Sequence, residues 1–400
     1  MRDRTAGYLS DGYEFLTRRI PASGWLELRL GGLPAVAIGG GDAPEAFYTP
    51  GRFTRAGAMP PTTLRLLQDK GSVQSLDGEA HRRRKGQFLA LMTSASIARL
   101  TSLFEAAWRR RVEDWPRDEP FVLLRQSERI LCDAVCAWAG APLDGRAAAM
   151  RTHEFSAMVG RAGSIGPDVA GALLLRKRNE RWARRMIREQ RSGRAGAAFG
   201  EPLAEVASWT DEAGDRLPVK VAAVELINLL RPTVAVARFI VLAAMALHRR
   251  PRWRERLRDG DDAALEAFAQ EVRRYFPFFP AIAGRVLQPF EWRGRGFRTG
   301  EWVLADLHGA NHDPARWADP MRFDPERFLG GASPDRIAAQ GAGDAALDHR
   351  CPGERITVEL IKRAAALLVG MDHDVPPQDL RMRINRMPTA PESGFVMRLR

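Results

Sequence analysis

Four hundred residues, 45% hydrophobic, 28% charged and only 8% aromatic, make up an ordinary globular chain and exclude a disordered or fibrous one. The formal charge is +12, from 61 Lys and Arg against 49 Asp and Glu, and with lysine only at 70, 85, 177, 220 and 362 the excess is almost all arginine. That arginine is spread over the whole length without aromatic-basic interleaving, which argues against a nucleic-acid partner. Between Met1 and Phe15, charges and Gly stand where a signal peptide has its apolar core. No uncharged apolar run of about 18 residues is found, so neither a transmembrane segment nor export by that route is expected. Cys132, Cys136 and Cys351 are an odd set without zinc-finger spacing, which predicts no disulfide framework and a cytoplasmic, reducing location.

Residues 25–30 alternate apolar and polar and end at Gly31-Gly32, which predicts a strand and turn, with 34–38 as a second strand. From Gly78 to about Gly193 the pattern turns helical, as in 94–115 and 176–191. The longest predicted helix is 217–248, apolar on nearly all faces from 235 to 247 and therefore interior, with Pro251 closing it. Another helix covers 262–276. Residues 290–304, with Gly294, Gly296 and Gly300 as turns, read as two or three short strands. The expectation is one mainly α unit over 1–400 with a small β subdomain. Its sheet lies near 20–60 and 285–305, its helical core over 78–276 and a cysteine loop over 337–354.

Three places carry chemistry. In the loop Gln340-Gly341-Ala342-Gly343-Asp344 and His349-Arg350-Cys351-Pro352-Gly353-Glu354, Pro352 and Gly353 suit a helix start. Cys351 would then sit at the positive end of a helix, where a thiolate is favoured. Glycines 341, 343 and 353 let backbone pass close to a flat ligand and aim amides at the sulfur of a thiolate-ligated iron; a buried structural cysteine is the alternative. In Glu271-Val272-Arg273-Arg274 the outer two residues share a helix face, a pair worth little if exposed. In Leu229-Leu230-Arg231-Pro232-Thr233 an arginine stands inside the apolar helix with no acid three or four residues away. Its anion is either a distant Asp or Glu or a ligand. Pro232 removes the hydrogen bond to the Asn228 carbonyl, costing about 3 kcal/mol in a regular helix and bending it.

The Glu271–Arg274 pair, Ala310-Asn311-His312-Asp313-Pro314, Pro325-Glu326-Arg327-Phe328 and the Cys351 loop follow in an order that resembles the cytochrome P450 superfamily. The resemblance implies the P450 fold, haem b (iron protoporphyrin IX) with Cys351 as the metal ligand, and a structural triad of Glu271, Arg274 and Arg327. An Arg-Pro pair in place of the acid-Thr pair of oxygen-activating members is similar to the fatty-acid peroxygenase branch. So are Gly12-Tyr13-Glu14-Phe15, Leu76-Asp77-Gly78-Glu79-Ala80-His81 and Glu225-Leu226-Ile227-Asn228. By that resemblance Arg231 and Pro232 are catalytic, and Arg231 holds the carboxylate of a long-chain fatty acid. The carboxylate serves as acid and base toward hydrogen peroxide, and the alpha or beta carbon is hydroxylated without reductase or ferredoxin.

The same resemblance implies further roles. Gln74 occupies a distal position where alkene-forming decarboxylases have His, and so points to hydroxylation. Phe278 and Phe279, within the aromatic cluster 276–280 that follows the Glu271–Arg274 helix, are expected to line the acyl channel, ordinary core being the alternative. His81 meets a haem propionate, with Arg55, Lys85 and His349 as further candidates, while Arg82 and Arg83 are surface charge. Gln68-Asp69 departs from the Phe-Gly often found at a channel wall, and Arg83 from a second His. A monomer is expected. The competing readings are a fatty-acid decarboxylase, a reductase-dependent monooxygenase and a non-catalytic haem or lipid carrier.

Overall fold

The computed structural model describes residues 2–69, 71–115, 117–164 and 166–400. The 3.6-residue apolar patterns become helices that bury one face. Ser94–Glu113 starts where the Thr93 hydroxyl accepts the Ser96 N–H at 3.2 Å, and it buries Ile97, Leu100, Phe104 and Trp108. It packs against Leu123–Trp138, and Pro167–Arg191 packs against the central helix Val219–Ala235. The fold is mainly α with a small β part.

The predicted single helix over 217–248 is two helices, Val219–Ala235 and Ala237–Arg249, parted at Val236. Pro232 lies inside the first. The break falls four residues after it, where the Val236 N–H bonds the Thr233 carbonyl at 3.1 Å and tightens the last turn. Together, Val219–Arg249 are long and apolar enough to cross a membrane, but 94% of their most apolar window is buried in the protein. This is the core around which the other helices pack. Pro251 does more than close the second helix: it opens the next, Pro251–Arg258, where a fixed φ and a missing N–H are no handicap.

The two expected β regions are halves of one sheet. Its strands run in the order Trp25–Leu30, Leu33–Ile38, Trp302–Asp306, Ala281–Val286 and Phe53–Thr54. Gly31 and Gly32, both at positive φ, turn the first hairpin, and Leu33–Ile38 then lies parallel to Trp302–Asp306 with Val36 opposite Val303. A small hairpin of Phe290–Trp292 and Arg295–Phe297 stands beside it. The expected boundaries miss a further sheet, Pro120–Val122, Val396–Leu399 and His373–Asp374, whose first strand interrupts the helical stretch 78–276. These strands are two to four residues long and pair across the chain, so no local alternation marks them.

Candidate active site

The helix Glu354–Val369 begins at Gly353, and Cys351 lies just ahead of it. The Cys351 N–H bonds the Gln340 carbonyl at 3.0 Å. Gly341 has φ +98°, and a Cβ there would come within 2.5 Å of the Tyr48 hydroxyl, so the loop closes only with glycine. Arg273, which the sequence pattern did not mark, holds this loop to the helix Asp262–Tyr275. Its Nε donates to Gln340 Oε1 at 2.8 Å and its Nη2 to Glu354, whose carboxylate also takes Arg350 at 2.7 and 3.0 Å. Those partners lie 67 and 81 residues away in sequence, beyond any local signal. Burial pushes the Cys351 thiol up, against the expectation from its helix end. The Gly353 N–H pulls it back, as do Lys85 and Arg273, while Glu354 adds to the rise.

Glu271 and Arg274 are not an exposed pair. Both are fully buried, with Arg274 Nε and Nη2 each 2.7 Å from the Glu271 carboxylate. Arg327 Nε stands 3.2 Å from the same carboxylate, and the Asp324 N–H donates to it at 2.7 Å. The remaining Arg274 donors meet the carbonyls of Asn311, Pro320 and Arg322, so the charges are satisfied and the helix Asp262–Tyr275 is tied to the segment 311–322.

A cavity of about 300 Å³ brings Cys351, Gln74, Arg231, Pro232, Phe278 and Phe279 to one wall system. Arg231 is 4% exposed. Among the described residues its hydrogen-bond partners are neutral: the Leu66 carbonyl at 3.3 Å and Asn228 Oδ1 at 3.4 Å. No carboxylate among the described residues pairs with it, so the distant Asp or Glu left open by the sequence is not there. Burial, and then the neighbouring Arg176, hold its guanidinium well below the ordinary arginine value. Gln74 Oε1 accepts from Asn228 Nδ2 at 3.3 Å. Phe278 stacks on Phe239 with ring centres 4.6 Å apart, while Phe279 is more open. Gln68 lines the same cavity, and its carbonyl accepts from Arg176 at 3.2 Å.

The basic candidates gather along one side. The His81 and His349 rings lie 3.9 Å apart, and both line a second cavity of about 200 Å³ with Arg55. Burial, helped by Lys85 and Arg55, brings His81 down to about 4. Lys85 Nζ donates to the carbonyls of Asp348, at 2.8 Å, and Arg350, so it braces the cysteine loop directly. Arg55 bonds the Ala283 carbonyl at 3.1 Å and sits over the Phe47 ring. Arg82 and Arg83 are exposed, on Glu79 and Thr210, but Arg84 between them and Lys85 is buried on Glu225, a partner the run of basic residues conceals.

Among the described residues no three His, Cys, Asp or Glu side chains cluster as a metal cage. A lone thiol on a glycine-bearing loop, an apolar cavity and a rim of Arg55, His81, Lys85 and His349 instead fit a metal that arrives with its own equatorial ligands and anionic side groups.

The profile of the family described as cytochrome P450 matches residues 263–385. Among solved structures, cytochrome P450SP alpha (CYP152B1) in complex with (R)-ibuprophen is 43% identical, with 100% of this chain and 98% of that one covered at a TM-score of 0.95. Wild-type cytochrome P450EX alpha (CYP152N1) with myristic acid is 37% identical, covering 99% and 96% at 0.94. The human cytochrome P450 4A11 is 27% identical over 179 residues, 40% of this chain and 34% of that protein. The chain spans about a third or less of the length of the first curated relatives it matches.

Proposed function

Because the chain belongs to the cytochrome P450 superfamily, we propose that it is a haem-thiolate peroxygenase that hydroxylates long-chain fatty acids at the alpha or beta carbon with hydrogen peroxide. The observation that carries this reading is Arg231: a buried guanidinium without a carboxylate partner among the described residues, on the wall of the cavity that holds Cys351. The group to be held is haem b, with Cys351 as its single protein ligand and His81, Arg55, Lys85 and His349 available to its propionates. When bound, it supplies the iron at which peroxide oxygen is passed to carbon.

The chain's own residues do the rest. Arg231 offers two parallel N–H donors and a charge in a low-dielectric site, which selects a carboxylate over a neutral head group. Fixed there, the carboxylate can accept a proton from hydrogen peroxide and return it to the oxygen that leaves as water, the task of an acid–base side chain in other enzymes. Pro232 lines the cavity and leaves the Asn228 carbonyl without its helical donor. Gln74 stands within reach of the same region through Asn228. Phe278 and Phe279 cover the acyl chain, so that anchoring the head leaves only the first carbons near the metal and sets which carbon reacts. The unit is one haem domain over 1–400, a cytoplasmic monomer that needs no reductase or ferredoxin.

The test is to mix holoenzyme with tetradecanoic acid and hydrogen peroxide, without reductase, and identify products by mass spectrometry beside the reduced-carbonyl spectrum. Hydroxy acids with a thiolate-type band support the proposal. Terminal alkenes move the protein to decarboxylation, and turnover that requires NAD(P)H and a reductase moves it to monooxygenation.

A further inference from the structure

One buried acid in the cavity helix has no part in that chemistry. Glu225, Asn228 and Arg231 follow at three-residue intervals along Val219–Ala235, and Glu225 is fully buried. Its carboxylate is ringed by donors. Oε1 accepts the Val73 N–H at 2.8 Å and Arg84 Nη1 at 2.7 Å, and Oε2 accepts Asn228 Nδ2 at 3.0 Å. An ionised carboxylate can only accept, and three donors around it favour that form. Asn228 must therefore turn its nitrogen toward Glu225.

That orientation propagates. The second hydrogen of Asn228 Nδ2 points to Gln74 Oε1 at 3.3 Å, and Asn228 Oδ1 is left facing Arg231 Nη2 at 3.4 Å. With its oxygen committed, Gln74 has its NH2 to offer elsewhere, on the cavity it lines. An amide on its own can be turned end for end at little cost. Here the choice is made at Glu225.

We propose that Glu225 is a positioning residue that sets the hydrogen-bond polarity of the site: through Asn228 it supplies the acceptor that orients Arg231 and leaves Gln74 as a donor toward the bound carboxylate. This rests on the reading in which Arg231 binds a fatty acid. Burial pushes the Glu225 carboxyl up, and Arg84, Asn228 and the Val73 N–H pull it back, so Arg84 is the counter-charge of the arrangement. With Glu225→Gln the new amide nitrogen can face Asn228, which then flips, turns a donor toward Arg231 and releases Gln74.

The experiment uses four holoenzymes beside the wild type. Glu225→Gln is combined with Arg84→Met so that no cation is left buried alone. Glu225→Asp keeps the charge but is too short to reach Val73, Arg84 and Asn228 together. Gln74→Met removes the donor without adding a charge, and is tested alone and on the double variant. Tetradecanoic acid affinity is measured by calorimetry, the alpha-to-beta product ratio by mass spectrometry, and the integrity of the site by the reduced-carbonyl band. The expected result is an unchanged band, a Kd about tenfold higher in the double variant and less raised in Glu225→Asp, and a shifted product ratio. Gln74→Met should cost turnover alone and little more on top of the double variant, because its donor is already misdirected.

Wild-type Kd and product ratio in the double variant, or losses that simply multiply, overturn the proposal. If the double variant fails to load haem, wild-type values in Glu225→Asp overturn it. A wild-type holoenzyme that does not bind the acid overturns the underlying reading instead.

Discussion

Arg231 and Arg176 meet at one oxygen: the Leu66 carbonyl accepts from both, at 3.3 and 3.5 Å. Glu180 balances Arg176 at 3.0 Å, and no carboxylate among the described residues balances Arg231. A buried cation with neutral partners only weakens the ligand-free protein, and on the proposed reading an incoming carboxylate would relieve it. Binding selectivity and folding stability are therefore opposed at this point of the structure.

Replacing Arg231 by Leu should accordingly raise the stability of the substrate-free protein by about 1–4 kcal/mol, seen as a higher denaturation midpoint. The same variant should lose tetradecanoic acid binding while keeping its reduced-carbonyl band. A lower midpoint would mean that the charge is compensated after all.

At the Glu271–Arg274 pair the sign is reversed, because each charge is satisfied. Arg274→Leu leaves Glu271 buried beside Arg327 alone and should cost about 3–5 kcal/mol in urea unfolding. Pairing it with Glu271→Gln should recover part of that loss, since the uncompensated acid is then gone.

Acid sensitivity follows from His308, which burial and His312 bring down to about 3 from 6.5. The unfolded chain takes up this proton near pH 6.5 and the folded chain does not, so stability present above pH 6.5 is lost as the pH falls toward 3. His308→Gln should flatten the melting midpoint between pH 7 and 4. Asp306, two residues earlier, works in the opposite direction. Burial pushes it up to about 6 from 3.8, so the folded chain keeps a proton there and stability is lost as the pH rises through 6. Asp306→Asn should raise the midpoint at pH 8 and not at pH 4.

At Gln74, a neutral histidine could still accept from Asn228 with one ring nitrogen and offer an N–H from the other. Gln74→His should therefore raise the share of terminal alkene among the products, read by gas chromatography, because the site gains a better proton donor. An unchanged product mixture would take Gln74 out of the chemistry.

How much of this was legible in the sequence depends on the distance over which each signal acts. Cys351, Glu271, Arg274 and the Arg231-Pro232 pair announce themselves within a few residues, as a glycine-bearing loop, a helix-face pair and a charge in an apolar helix. Arg273 does not, since Gln340 and Glu354 lie far along the chain, and Arg176 reads as an ordinary helix-face pair with Glu180 while the Leu66 carbonyl it meets is 110 residues away. Arg84 was hidden for another reason: it stands in a run of basic residues whose neighbours Arg82 and Arg83 really are exposed, and only its buried ion pair with Glu225 of the cavity helix separates it from them. The sheet of Pro120–Val122, Val396–Leu399 and His373–Asp374 shows no alternation long enough to read. The helix break at Val236 was displaced from the proline that marks it, because the freed carbonyl is one turn before Pro232 and the tightened turn one after.

The parallel pairing of Leu33–Ile38 with Trp302–Asp306 also imposes an order of events at the ribosome. Val36 waits for Val303, and at ~5–20 residues per second that is roughly 15–50 s of synthesis. During this interval the first hairpin has an open edge and nothing to close it. Tyr48 and Arg55 belong to the early part of the chain and Cys351 to the late part, so a nascent polypeptide halted before residue 303 has neither a finished sheet nor a place for its prosthetic group. On the proposed reading the prosthetic group can therefore be held only after most of the chain has been made, because its cavity joins Tyr48 and Arg55 to Cys351.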